Sequence, residues 1–254
     1  KIQEFFFWQK FFRENIKKRD KLNSKNIFNI IPSAGEGSRH KKLGYNKPKP
    51  LIPIGERTMF EKSLDKLPNK NNNLFIFRKH IFNKFNIKRI LIKNKSLNDY
   101  FLINRKTKGM AETILLSKNK IPFNRPVIIS SCDISFIINY KKFYKVLSKK
   151  PDGIIFTWRN YPFADESPNS HAYVKVKNEK VTLISEKKTI SNRPNNDFAV
   201  TGIFYFKSSE LLLDCINHMI KNKITVNKEY YVATSMSKLL KDNLKIYNFE
   251  VDQF

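Results

Sequence analysis

Residues 27–39 read Ile-Phe-Asn-Ile-Ile-Pro-Ser-Ala-Gly-Glu-Gly-Ser-Arg, and this stretch decides the fold. Ile27, Phe28, Ile30 and Ile31 make an apolar, β-branched run that reads as a short buried strand closed by Pro32. Gly35 and Gly37 follow at once, straddling Glu36. Glycines directly after a buried strand let the backbone turn tightly and bring its N–H groups close to a phosphate, an approach that a side chain would block. Arg39 adds a planar charged fork suited to phosphate oxygens. A purely structural turn with two glycines explains the same residues equally well. The loop is not a Walker A motif, because no Gly-Lys-Ser/Thr follows, and it lacks the third glycine of a dinucleotide fingerprint.

Outward from this loop, apolar periodicity sets the order of elements. Thr58 is placed to cap a helix in which Phe60, Leu64 and Leu67 share a face, stopped by Pro68. Leu74 to Phe77 reads as a strand, residues 109–118 as a helix, Val127 to Ser131 as a buried strand, residues 140–149 as a helix and Ile154 to Trp158 as a strand. Strands alternating with helices in this way predict βαβ units and a mainly parallel sheet. The pattern then changes. Ala172 to Val176 and Lys180 to Ile184 alternate on either side of Asn178 and Glu179 like the arms of a hairpin. Val200 to Phe206 is a further strand, and Leu212, Cys215, Ile216, Met219 and Ile220 mark one helix face. The expected fold class is three-layer α/β, with a mainly parallel, Rossmann-like sheet and a β-rich insertion in the second half.

Composition narrows the class of protein. The 254 residues are 41% hydrophobic with 22 Phe, enough apolar material for a packed core and against wholesale disorder. Two cysteines, Cys132 and Cys215, are too few for a disulfide framework and lie in no Cys/His cluster of zinc spacing, so a reducing cytoplasm is the expected compartment. No apolar run reaches the ~18 residues of a membrane span, and Phe5, Phe6, Phe7 and Trp8 are too short a cluster for a signal-peptide core. The net charge of +27 comes from lysines spread along the chain, which favours solvated faces over a nucleic-acid stripe. The densest basic cluster lies in residues 1–26, where Phe5, Trp8, Phe12 and Ile16 would share a helical face. That segment reads either as a surface-docking amphipathic element or as the last helix of a preceding domain. The start at Lys1 and the strand-like run up to Phe254 lead us to expect a chain cut from something longer.

Eight residues beyond Arg39, Lys47-Pro48-Lys49-Pro50-Leu51 follows. Together the two motifs resemble the signature of the sugar-phosphate nucleotidyltransferases, a Gly-x-Gly-Thr/Ser-Arg loop followed by Pro-Lys-Pro-Leu. Further landmarks match in order: Lys108-Gly109-Met110-Ala111, the strand Val127 to Asp133, the pair Glu186-Lys187, and the glycine-bearing strand Val200 to Phe206. The resemblance runs from about Asn26 to the end. It implies an N-terminal extension over residues 1–26 and a nucleotidyltransferase domain over residues 27–254.

The resemblance also implies roles. The family joins a phosphate acceptor to the α-phosphorus of a nucleoside triphosphate, with Mg²⁺ and release of pyrophosphate. Two anions must be neutralised and aligned, and little covalent work is asked of the protein. Ala34, Gly35, Glu36, Gly37 and Ser38 would hold the triphosphate through backbone amides, with Arg39 and Lys49 as catalytic cations. Lys108, Gly109 and Ala111 would line the base. Asp133, at the carboxyl end of a strand, would carry the metal, a hard oxygen ligand suited to Mg²⁺. Glu186, Lys187 and Gly202 would meet the acceptor, Glu186 through its hydroxyls and Lys187 through its phosphate. Cys132 departs from the glycine more usual before that aspartate. A second metal aspartate has no secure position: Asp252 is acidic, but Val251 to Phe254 reads as the approach to the segment that would hold it.

The expected partners are a nucleoside triphosphate and a sugar 1-phosphate, giving a nucleotide sugar for surface polysaccharide, with a homo-oligomer as one assembly. A non-sugar acceptor such as a phosphorylated amino alcohol is the near alternative, and Tyr161, Asp165, Glu166, His171 and Tyr173 lie in an insertion placed either to contact the acceptor or to form surface loop. An inactive relative with a regulatory role and a basic nucleic-acid-binding protein are the remaining alternatives; no specific nucleic acid is expected.

Overall fold

The computed structural model describes residues 26–35, 47–67, 72–93, 99–134, 138–160 and 164–252. The helix reading of residues 5–16, the loop residues Glu36 to Arg39, Pro68 and Tyr161 lie outside these. In chain order the elements are β1 (Phe28–Pro32), β2 (Pro53–Ile54), β3 (Arg57–Thr58), α1 (Met59–Ser63), β4 (Asn73–Arg78), α2 (Lys79–Lys84), α3 (Ile87–Lys93), β5 (Asp99–Ile103), α4 (Met110–Leu116) and β6 (Val127–Ser130). Then come α5 (Tyr140–Leu147), β7 (Gly153–Trp158), β8 (Ala172–Lys177), β9 (Lys180–Glu186), β10 (Phe198–Phe206), α6 (Ser209–Lys221), α7 (Val232–Lys241) and β11 (Ile246–Glu250).

Among the described residues one nine-stranded sheet runs in the order β5-β4-β1-β6-β10-β7-β11-β9-β8. Parallel ladders join β5, β4, β1 and β6, and another joins β7 to β11. Successive side chains on a strand point to opposite faces, and here both faces are apolar. Ile30, Leu74, Ile76, Val127 and Ile129 pack with Ile114 of α4, Ile216 of α6 and Met236 of α7. Their neighbours Ile31, Phe75 and Phe77 pack on the other face with Phe60 of α1, Phe82 of α2 and Leu91 of α3. Farther along that face, Ile128, Phe156 and Phe249 meet Phe143 of α5. The three-layer α/β class read from the sequence is the observed one.

The sequence also marks local stops and turns. Thr58 accepts from the Glu61 amide at 3.2 Å while its own amide donates to the Glu61 carboxylate at 2.7 Å, a reciprocal cap that starts α1. Asn178 and Glu179 both take positive φ, +49° and +63°, the two-residue turn whose twist suits the β8–β9 hairpin. Strand β10 could not be placed from sequence. It inserts antiparallel between β6 and β7, and its first residues also pair with β8. Its register shifts between Val200 and Phe204, around Gly202 at φ +79°.

Candidate active site at the carboxyl edge of the sheet

The register sets Ile30 of β1 beside Ile129 of β6 and Pro32 beside Ile76 of β4, so the strands end at one edge. From β1 the chain leaves through Ser33, Ala34 and Gly35; the Ser33 amide still donates to the Ile76 carbonyl at 2.7 Å. From β6 it leaves through Ser131, Cys132 and Asp133. The first glycine of the loop and the candidate metal aspartate therefore emerge from neighbouring parallel strands, the place where open α/β sheets hold ligands. Ala34 is buried, while a Cβ added to Gly35 would meet nothing within 4 Å. The backbone turn at residues 49–51 is held by Leu51, which packs in the same cluster as Ile31. Glu36, Gly37, Ser38, Arg39 and the side chain of Lys49 lie outside the described residues.

Asp133 is half-buried and accepts a hydrogen bond from the Ser131 hydroxyl. Ser131 is fixed in turn by its amide, which donates to the Gly202 carbonyl at 3.1 Å. A Cβ on Gly202 would lie 3.2 Å from the Ser131 Cβ. Gly202 thus has a structural role: with no side chain and φ +79°, it lets β10 close on the exit of β6 and shape the turn that carries Asp133. Asp252 leaves β11 at the same edge, since β11 runs parallel to β7, but it is paired with Lys142 of α5 at 3.1 Å. Among the described residues, no three His, Cys, Asp or Glu side chains converge as a metal cluster.

The remaining candidates meet on one segment that sequence reading missed, Glu229 to Thr234. Gly109 has φ +117° and ψ 178°, a conformation essentially confined to glycine. Its absent side chain is matched by the Tyr230 backbone: an added Cβ would sit 2.6 Å from the Tyr230 carbonyl oxygen. The Tyr230 amide donates to the Lys108 carbonyl at 2.6 Å, and the Ala111 amide donates to the Tyr230 carbonyl at 3.2 Å. This packing alone requires the glycine, whatever the loop binds. Lys108 also donates its amide to Glu112, which pairs with Arg105 at 2.7 Å.

Glu186 ends β9 opposite Ala172 of β8. Burial pushes its carboxyl up to about 7, with Glu229 adding to the rise and Lys187 opposing it. The Thr234 hydroxyl also favours the ionised form slightly, although it is buried and makes no hydrogen bond of good geometry among the described residues. Lys187 follows with φ +59°; its amide donates to the His171 carbonyl at 3.1 Å, and its ammonium donates to the Ser170 carbonyl and lies 5.4 Å from the Tyr231 ring centre. In the insertion, Tyr173 is buried and its hydroxyl donates to the Pro168 carbonyl at 2.7 Å, so it serves packing, while Asp165 accepts from Asn195. The apolar periodic run Val232, Ala233, Met236 and Leu239 is the signal that could have marked a helix entry after Tyr231; the backbone contact with Gly109 had no sequence signal.

The raised Glu186 pKa gives a sign. Between pH 4.5 and about 7 the folded chain holds a proton that the unfolded chain has released, so this group's contribution to stability falls as pH rises through that window. Glu186→Gln is expected to flatten that slope, making the variant more stable than the parent at pH 8 by on the order of 1–3 kcal/mol and little different at pH 4.5. Urea unfolding at the two pH values measures it, and parallel pH slopes in parent and variant would refute the assignment.

A cavity of about 280 Å³ lined by Phe28, Asn73, Asp99 and Arg125 opens at the opposite edge, where β1, β4, β5 and β6 begin. It shares no residue with the constellation above, so the candidate site stays at the carboxyl edge.

A sequence model of the nucleotidyl transferase family matches residues 28–249, most of the chain and all but the last residue of the elements just described. The chain belongs to this family. Among curated members it is 28% identical over 192 residues to the bifunctional protein GlmU of Buchnera aphidicola subsp. Acyrthosiphon pisum (strain Tuc7), which takes in 73% of this chain and 38% of that protein. It is 24% identical over 217 residues to the bifunctional protein GlmU of Methanocaldococcus jannaschii, with 76% and 47% covered. The chain thus spans less than half the length of these relatives. The crystal structure of a nucleoside-diphosphate-sugar pyrophosphorylase from Vibrio cholerae RC9 superposes with a TM-score of 0.70 over 88% of this chain and 91% of that one, at 21% identity, which shows a shared fold. In this nucleotidyl transferase the Ala34–Gly35 and Asp133 exits lie at the carboxyl edge of the sheet, and residues 108–111 and 187 pack against Tyr230 and Tyr231. No helix among the described residues is long and apolar enough to cross a membrane.

Proposed function

We propose that this nucleotidyl transferase moves a nucleoside monophosphate from a nucleoside triphosphate to a sugar 1-phosphate, releasing pyrophosphate and forming a nucleotide sugar for surface polysaccharide. The observation that carries the reading is the adjacency of the Ala34–Gly35 exit from β1 and the Asp133 exit from β6. A phosphate oxygen of the acceptor attacks the α-phosphorus in line. The bond from that phosphorus to the bridging oxygen breaks, and the electron pair leaves with pyrophosphate. No proton need move, so the protein's work is to align the two ends and neutralise charge.

Backbone amides of residues 34–38 and the guanidinium of Arg39 hold the triphosphate, and Lys49 serves the α-phosphate. Asp133 fits Mg²⁺: it offers a hard carboxylate oxygen at the ligand edge, steadied by Ser131, and Mg²⁺ bound to nucleotide needs only one or two protein carboxylates beside phosphate oxygens and water. When bound, the ion supplies charge neutralisation between the reacting anions. The Lys108–Ala111 loop borders the base, and Glu186 and Gly202 border the acceptor, with Glu186 accepting from its hydroxyls.

Pyrophosphate release over a panel of nucleoside triphosphates and acceptor phosphates with Mg²⁺ tests this reading. Turnover with one triphosphate and a sugar 1-phosphate is expected. Turnover confined to a phosphorylated amino alcohol would move the acceptor class, and silence with every pair would overturn the reading.

A further inference from the structure

We propose that the outward face of α2 and α3 docks on an anionic lipid surface, through a set of cations and one apolar side chain among them. The lysines of this protein are spread along the chain, but the acids are not. Residues 66–98 hold nine Lys plus Arg and no Asp or Glu. This stretch contains the crossover from β4 to its parallel neighbour β5, and its two helices carry the imbalance to the surface. Ile81, Phe82, Ile87 and Leu91 are buried, which leaves Lys79 and Lys84 of α2 and Lys88, Arg89 and Ile92 of α3 exposed. On α3, Ile92 lies four residues from Lys88 and three from Arg89, the spacing of one helical face.

Two features set this face apart. Around the other helices, cations have acidic partners: Arg57 pairs with Asp65 beside α1, Arg105 with Glu112 of α4, Lys142 of α5 with Asp252, and Lys238 of α7 with Asp214 of α6. Among the described residues, Lys79, Lys84, Lys88 and Arg89 make no ion pair. The second feature is Ile92, 56% exposed in the midst of these charges. A nucleic acid has a use for the cations but none for that isoleucine. Phe85, in the turn between the helices, is half-buried with the Lys84 ammonium 5.7 Å from its ring centre, a poor platform for stacking a base. A bilayer interface uses both features, since apolar side chains enter among the headgroups and each Lys or Arg near an anionic surface adds attraction. Phe82 and Leu91 pack with Phe75 and Phe77 over a face of the sheet, so docking here does not depend on the transferase chemistry at the carboxyl edge.

Co-sedimentation of the full chain with vesicles, at about 0.1 M salt, tests this. Binding is expected to vesicles of equal parts phosphatidylglycerol and phosphatidylcholine, and not to phosphatidylcholine alone. Lys88→Gln with Arg89→Gln is expected to weaken it about twenty-five-fold, at about five-fold for each cation. Ile92→Ser is expected to weaken it several-fold. Lys221→Gln with Lys241→Gln removes the same charge from the exposed ends of α6 and α7, helices that pack on the other face of the sheet, and is expected to change binding by less than about two-fold. The readout is the ratio between variants, so any lipid affinity of residues 1–26 is common to all of them. Every substituted side chain is exposed, and thermal unfolding checks that each variant folds as the parent does. Absence of binding to the anionic vesicles, equal binding to phosphatidylcholine, or equal losses in the two charge-removed pairs would overturn the proposal. So would a DNA duplex that displaces the vesicles through Lys88 and Arg89 while Ile92→Ser binds vesicles like the parent, a result that would mark a nucleic-acid face instead.

Discussion

Asp133→Asn is expected to lower Mg²⁺-dependent turnover about a thousand-fold while leaving the fold intact, a loss of roughly 4 kcal/mol of transition-state stabilisation. The proposed reaction joins two anions, and a neutral amide at this position would bind a hard divalent ion poorly where a carboxylate binds it well. Stability should hardly change. Asp133 is half-buried, and the hydrogen bond it accepts from the Ser131 hydroxyl is one that an amide oxygen also accepts. Steady-state rates over a Mg²⁺ titration, with thermal unfolding as the control, measure both halves. Turnover and Mg²⁺ dependence matching the parent would remove Asp133 from the mechanism.

Gly109→Ala is expected to destabilise the chain by about 2–4 kcal/mol, or roughly 4–16 °C in Tm for a chain of this size. Two causes add. At φ +117° and ψ 178° any Cβ is strained, and this one would lie 2.6 Å from the Tyr230 carbonyl oxygen and 2.9 Å from its nitrogen, both backbone atoms that cannot swing aside. Relief requires the 108–111 loop to part from Tyr230, losing the bonds at 2.6 and 3.2 Å that join them. The nucleotide KM should rise as the loop loosens, and fast amide exchange at residues 110–112 should accompany the lowered Tm. A variant that melts with the parent would show that the two backbones are not in contact.

These two sites differ in how legible they were. Asp133 could be picked out because a buried strand ending in an acid after a run of β-branched residues is a local pattern, and parallel sheets present such ends to ligands. Gly109 could be flagged only as one landmark in an ordered series. The reason for a glycine there is the Tyr230 backbone, 121 positions along the chain, and backbone contacts leave no trace in side-chain identity. Lys187 shows the same limit. The Ser170 carbonyl and the Tyr231 ring beside its ammonium come from a turn and a helix entry that no periodicity brings together.

What the amino-acid sequence determined by itself was whatever depends on near neighbours. The apolar run before Gly35 makes a strand, Thr58 with Glu61 starts a helix, Asn178-Glu179 turns a hairpin, and two apolar faces per strand demand helices on both sides of the sheet. Tertiary structure alone decided that β10 runs against β6 and β7, that Gly202 lies against Ser131 at the exit of β6, and that residues 229–234 meet both the 108–111 loop and the Glu186-Lys187 pair. Secondary structure follows from sterics and hydrogen bonds within a few residues, while the order of strands and the meeting of distant backbones are fixed only by how the whole apolar surface is buried at once.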